Sequence, residues 1–240
     1  MDIRLLADHR TDLVAERTRT QNRLRWHLIA LCPELEHQVA PGMLGQYNVL
    51  DRIDRKLRKL PVGVRVTIAR QLVSQIRALT RQIDELKRQL TDLIETSHPQ
   101  LLAEPGCGTL TAAILIGHTA GAERFRSEAS FARHAGTAPI RCSSGQRDQH
   151  RLDRGGDRQL NHALHMIALS RLQHDPVTKA YLERKRSEGK TRKGALRCLK
   201  RHLARHFHQL LAQPARSVVP LGERPTEITI TAAAPLRCLT

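Results

Sequence analysis

Apolar residues in the first part of the chain recur at helical spacing. Leu6, Leu13, Leu24, Leu28 and Leu31 fall on one broad face, with a charged face opposite, which predicts an amphipathic helix. Pro33 and the run APGMLG at 40–45 interrupt it, and a shorter helix follows through Val49, Ile53, Leu57 and Leu60. After LPVG the pattern tightens. Leu72, Ile76, Leu79, Ile83, Leu86, Leu90 and Leu93 alternate steps of four and three, a heptad seam that predicts one long helix from Val64 to about Thr96. Its partner is either the N-terminal helix of the same chain or the same segment of a second copy. His98-Pro99 ends this helix, because proline disfavours helical geometry in the residue before it.

A compact region is expected from 99 to 213. LLAEPGCGTLTAAILIGHT reads as two helical segments joined by a glycine turn of the helix-hairpin-helix kind, in which Gly106 and Gly108 would expose backbone N–H groups to a DNA phosphate; a plain helix–helix turn explains it as well. A helix is predicted to start near Asp157, with Leu160, Leu164, Ala168 and Leu172 in one row and Ile167 beside it. Asp175-Pro176 reads as a cap followed by a helix-favoured proline, and EGKTRKGAL as the turn between two basic helices. The fold class is therefore mainly α: a long heptad (coiled-coil) helix, then a compact helical domain with a helix-hairpin-helix-like turn and no large sheet. The units are 1–63, 64–98 and 99–213, followed at 214–240 by a Pro-, Thr- and Ala-rich tail expected to be disordered.

Composition adds a partner to this outline. Among 240 residues, 40 Lys and Arg face 23 Asp and Glu, a net charge of +17, while aromatics make up only 2%. Such a surface repels itself unless a polyanion neutralises it, and nucleic acid is the first candidate. From Ala122 to Arg216 there are 21 lysines and arginines against 8 acids, so most of the charge lies in the compact region. Neither a signal-peptide core nor a membrane span is seen, and a cytoplasmic location is expected. The five cysteines Cys32, Cys107, Cys142, Cys198 and Cys238 are widely spaced with no CxxC, which points to reduced thiols. His202 and His206, with Cys198 four residues before them, have metal-binding spacing but no acidic partner nearby in sequence. They read as basic helix surface, and no metal site is assigned.

The candidate chemistry lies in RCSSGQRDQHRLDRGGDRQLNHAL, from Arg141 to Leu164. A serine hydroxyl is a poor nucleophile near neutral pH and needs a base, a metal or a dense positive field. Arg141, Arg147, Arg151, Arg154 and Arg158 supply such a field, since the planar guanidinium fork matches phosphate geometry. Lys190, Arg192 and Lys193 add a backbone-contacting surface. On these residues alone, SSG in a basic loop reads as a flexible phosphate-contact loop.

The order EPGCGTLTAAILIG, ERFRSEASFARHAGTAP, SSG, RGGDRQLNHAL, DPVTKAYLERKRSEGKTRKGAL resembles the C-terminal part of the insertion-sequence transposases that join a DEDD RuvC-like domain to a serine-bearing domain, the bridge-RNA-guided recombinases. The match runs over about Val64 to Leu211. It implies that Ser144, with Ser143 as runner-up, attacks a DNA phosphate, that Arg154 and Arg158 act as phosphate clamps, and that the partners are DNA, a guide RNA and further copies of the chain through the heptad helix. It also implies that Mg²⁺ is held only by the acids of the RuvC-like domain. The chain starts at what looks like the end of that domain's main part, and Asp148, Asp153 and Asp157 do not replace those acids. The expectation is a shortened transposase, inactive in strand exchange alone. The alternative is a non-catalytic nucleic-acid-binding and oligomerising fragment.

Overall fold

The computed structural model describes residues 2–144, 147–153 and 155–213, with residues 141–144 and 147–152 described by their main chain. The tail at 214–240, Arg154 and Cys238 lie outside the described residues.

The molecule is mainly helical, a long helical pair followed by a compact helical region. Helix α1 (Asp2–Leu31) runs along α4 (Val64–Ser97), and between them lie the short α2 (Pro33–His37), a 3₁₀ turn at Met43–Gly45 and α3 (Tyr47–Leu57). The glycine Gly63 caps the start of α4, and its end falls before Pro99, as the proline rule requires.

Two hydrophobic cores occupy opposite ends of the α1–α4 pair. One joins Leu24 and Leu28 of α1 to Leu50, Ile53 and Leu57 of α3 and to Leu72 and Ile76 of α4. Asp54 in α3 ties this end together, with Arg58 at 2.8 Å and Arg70 at 3.5 Å from its carboxylate. The heptad seam is thus occupied within the chain: Leu72, Ile76, Leu79, Ile83 and Leu90 are buried, with α1 as their main neighbour. Leu93 is 39% exposed, and Ile94 is buried in its place. The 3.6-residue turn drifts against a strict heptad, and past Leu90 the helix meets the compact region with a rotated face.

The second core belongs to that region. It is built from α5 (Pro99–Leu102), α6 (Thr109–Thr119), α7 (Glu128–His134), α8 (Arg158–His174), α9 (Pro176–Ser187) and α10 (Arg192–Ala212). Leu90 and Ile94 of α4 meet Leu101, Leu115, Phe131, Leu164, Ile167, Leu203 and Phe207 here, and Ile3, Leu6 and Ala7 at the start of α1 pack on the outside. The start of α1 thus packs against the second core, while the rest of the N-terminal segment builds the first. Helix α6 approaches α1 closely at Gly117, where a Cβ would stand 2.8 Å from Cβ of Arg4. The predicted cap at Asp175 forms, and Asp157, near which a helix start was expected, caps α8: both carboxylates accept from the first turns of their helices.

One element departs from the sequence expectation. The segment read as a phosphate-contact loop is a two-stranded antiparallel ribbon, β1 (Pro139–Ser144) and β2 (Arg147–Leu152).

Candidate nucleic-acid interface

The ribbon carries both candidate serines at its far end. Its register pairs Pro139 with Leu152, Ile140 with Arg151, Arg141 with His150, Ser143 with Asp148 and Ser144 with Arg147. Ser144 is therefore the last residue of β1, opposite the first of β2, and residues 145 and 146 join the strands outside the described residues. Five residue steps separate Pro139 from Ser144, so Ser144 stands about 17 Å along the ribbon from its root.

The root is held at three points. Gly136, in the left-handed region at φ +62°, packs against Gly156 so tightly that a Cβ on Gly156 would overlap its main chain. The Asp157 amide donates to the His134 carbonyl at 2.6 Å. The Asn161 side-chain amide donates to the carbonyls of Ala135 and Gly136 at 3.1 and 2.8 Å. The GG pair and the HAGTAP stretch are thus two halves of one turn of close main-chain packing.

Asp157 couples the root to α8 and α6. Its carboxylate accepts from the Gln159 and Leu160 amides at 2.8 and 2.9 Å, and its other oxygen lies 2.9 Å from His118 Nδ1. Burial alone would push this carboxyl up. The bonds from Leu160, His118 and Gln159 outweigh it and hold the carboxyl below its ordinary value.

The structure separates the residues grouped by the sequence. Arg141, Arg147 and Arg151 share the ribbon with the serines, but Arg158 opens α8 at the root, the opposite end from Ser144. Gly106 has φ +77°, and a Cβ there would stand 3.0 Å from the Ile167 carbonyl oxygen. Its turn is explained by contact with α8. Gly108 caps α6 and has open space around it. Lys190, Arg192 and Lys193 lie at the α9–α10 turn, where the Thr191 hydroxyl accepts from the Gly194 amide at 3.1 Å.

A basic cavity of about 710 Å³ opens between α9, α10 and the segment from Gly136 to Pro139 that leads into β1. Of its lysines and arginines, sequence reasoning singled out only Lys190. Lys200 is 7% exposed, and its ammonium donates to Asn161 Oδ1 at 2.5 Å, which links α10 to the same asparagine that holds the ribbon root. Burial, with Arg197 nearby, pulls the Lys200 ammonium down to about 8. Burial pushes the Tyr181 hydroxyl up to about 12, so it stays a donor. A signal for Lys200 was present: it stands in the row Leu196, Lys200, Leu203, Phe207, where a core residue belongs.

The histidine cluster separates too. His206 Nε2 lies 2.9 Å from Glu104, which also binds Arg171 at 2.7 Å, whereas His202 stacks edge-on against Tyr181. Among the described residues, no three His, Cys, Asp or Glu side chains form a group that could hold a metal ion. The Mg²⁺ implied by the resemblance has no ligand set among them. Cys32, Cys107 and Cys198 are free thiols. No helix among the described residues is long and apolar enough to cross a membrane.

Residues 99–183, which span the ribbon and its root, match the family described as Transposase IS116/IS110/IS902 family. The chain is 29% identical over 239 residues to the insertion element IS110 uncharacterized 43.6 kDa protein of Streptomyces coelicolor, an alignment covering 81% of this chain and 59% of the relative. It is 28% identical over 242 residues to the insertion element IS116 uncharacterized 44.8 kDa protein of Streptomyces clavuligerus, covering 83% and 60%. It is 30% identical over 139 residues to the insertion element IS900 uncharacterized 42 kDa protein of Mycobacterium paratuberculosis, covering 56% and 35%. The chain thus spans about three fifths of the length of the first two relatives.

Proposed function

We propose that the chain binds DNA in the transposition of an insertion sequence and that Ser144 attacks a DNA phosphate. The observation that carries this reading is the ribbon: it presents Ser144 opposite Arg147, at the end of an arm whose root is fixed by main-chain packing, within the segment matched to a transposase family. Preorganisation of this kind lets cationic groups stabilise charge as it develops on a phosphate.

In the proposed step the Ser144 Oγ–phosphorus bond forms as one bridging P–O bond breaks. The serine proton passes to solvent hydroxide or water, and the released oxygen takes up a proton from water. The arginines serve as the field and not as the base, because guanidinium stays protonated. On an ordinary phosphodiester the described residues supply the nucleophile and its field, so tight binding with little covalent product is expected of this chain alone. A guide RNA would use the same cationic surface, and further copies of the chain would meet through surfaces other than the α1–α4 seam.

The test is a salt titration of duplex DNA binding by the parent and by Arg141→Gln, Arg147→Gln, Arg151→Gln. Log affinity should fall linearly with log salt, by about 0.9 per neutralised phosphate, and the triple variant should flatten the slope by about two to three. An identical slope in both proteins contradicts a DNA-binding ribbon.

A further inference from the structure

We propose that the cavity between α9 and α10 is a second DNA site, which takes one nucleotide of the bound strand with its phosphate on Lys190, Lys200 and Arg201 and its base against Tyr181. This rests on the DNA-binding reading above and extends it to a surface which that reading does not use.

The lining carries six lysines and arginines and not one carboxylate. Some of these charges are already engaged: Lys185 is held by Glu188 at 2.7 Å, and Arg205 reaches Glu128 at 3.7 Å. Lys190, Lys200 and Arg201 make no ion pair with a carboxylate among the described residues. For Lys200 this is unusual, since buried charges are normally paired, and among the described residues its hydrogen-bond partner is the neutral amide oxygen of Asn161. Two further donors around the cavity are buried without a hydrogen-bond partner, Arg201 Nη1 and the Tyr181 hydroxyl. An incoming phosphate would satisfy Lys200 and Arg201 through charge-assisted hydrogen bonds, and the attached base would meet the Tyr181 hydroxyl.

Size and shape select a nucleotide rather than a bare phosphate. A volume of about 710 Å³ lies in the range of sites for small organic molecules. Tyr181 offers one aromatic wall, stacked edge-on with His202, and sequence-tolerant base stacking on such a wall is the usual companion of a cationic groove. Position selects the DNA strand. The segment from Gly136 to Pro139 is both a wall of the cavity and the start of β1. With Ser144 about 17 Å along the ribbon, a strand that lies along the ribbon would run from the cavity to Ser144.

Cys198 lies in the lining and is only partly buried, so its alkylation reports occupancy. The full chain is treated with N-ethylmaleimide, and modification of the Cys198 peptide is followed by mass spectrometry. The arms are free, with single-stranded DNA, with RNA of the same sequence, with a mononucleotide, and with inorganic phosphate. DNA at about ten times its dissociation constant should slow Cys198 alkylation about tenfold, the mass-action factor. Arg201→Gln with Lys190→Gln should restore the rate at the same DNA concentration, while Ser144→Ala should keep full protection. Retained protection with Ser144→Ala separates this site from the serine chemistry, so either can fail alone. No protection of the parent by DNA overturns the proposal. So does protection by RNA alone, protection by phosphate or mononucleotide at the DNA concentration, or protection that survives the double variant.

Discussion

A Cβ added to Gly156 would stand 2.3 Å from the amide nitrogen of Gly136 and 2.4 Å from its Cα. Both contacts are with main chain, so no side chain can swing aside, and Gly136 itself sits at φ +62°. Gly156→Ala should destabilise the chain by about 1–3 kcal/mol, as overpacking does. Gly155→Ala, whose Cβ would meet only an Asp153 side-chain oxygen at 3.4 Å, should stay within about 0.5 kcal/mol of the parent. Urea unfolding of the two variants checks this; equal losses would show that the root is not closed by this contact.

Asp157 links the root to α8, and its carboxyl lies below its ordinary value of 3.8 because its hydrogen bonds outweigh its burial. A lowered folded pKa means that the carboxylate's contribution is complete above the unfolded value and is lost as pH falls through the folded one. Asp157→Asn keeps a good capping side chain but cannot titrate. The stability difference between parent and Asp157→Asn should therefore be constant above about pH 5 and shrink below pH 4. Asp157→Ala should cost about 1 kcal/mol at neutral pH from the lost cap. A pH-independent difference between parent and Asp157→Asn would remove the carboxylate from this role.

Lys200 is shifted in the same direction, but here because burial disfavours its charged form. Its folded pKa of about 8 lies below the ordinary 10.5, so between these values the unfolded chain binds more protons and stability rises with pH. Without DNA, the parent should gain stability from pH 8 to 10.5 relative to Lys200→Met. Saturating DNA should cancel that rise, because a phosphate in the cavity favours the charged ammonium. Thermal unfolding across this range, with and without DNA, is the measurement. Parallel curves for parent and Lys200→Met would mean that the ammonium is not strained by burial.

Much of the frame was legible in the sequence, because it rests on local rules. The Leu72–Leu90 seam, the stop at Pro99, the helix start near Asp157 and the cap at Asp175 each follow from periodicity or from a side chain beside its own backbone. What the seam packs against was not legible, since a heptad row specifies an apolar partner and not whose it is; α1 supplies it here. The ribbon was missed because RCSSGQRDQHRL is polar throughout and lacks the β-branched alternation that marks a strand. Gly106 read as a phosphate turn because a φ above zero and a tight contact with α8 both call for the same residue. Lys200 and Arg201 vanished into a run of basic residues, and only the packing of α9 on α10 makes them a site.

The most direct test of the central claim removes the need for a proton on the leaving group. DNA carrying a single bridging phosphorothiolate, in separate 3′ and 5′ forms, releases a thiolate that leaves unprotonated. The chain is incubated with each form and the products are separated by denaturing electrophoresis, for the parent, Ser144→Ala and Ser143→Ala. The account predicts a protease-sensitive protein–DNA adduct with one of the two forms, present in the parent and in Ser143→Ala, absent in Ser144→Ala, and mapping to the peptide that contains Ser144. An adduct that persists in Ser144→Ala, or no adduct with either form from protein that binds the DNA, would contradict it.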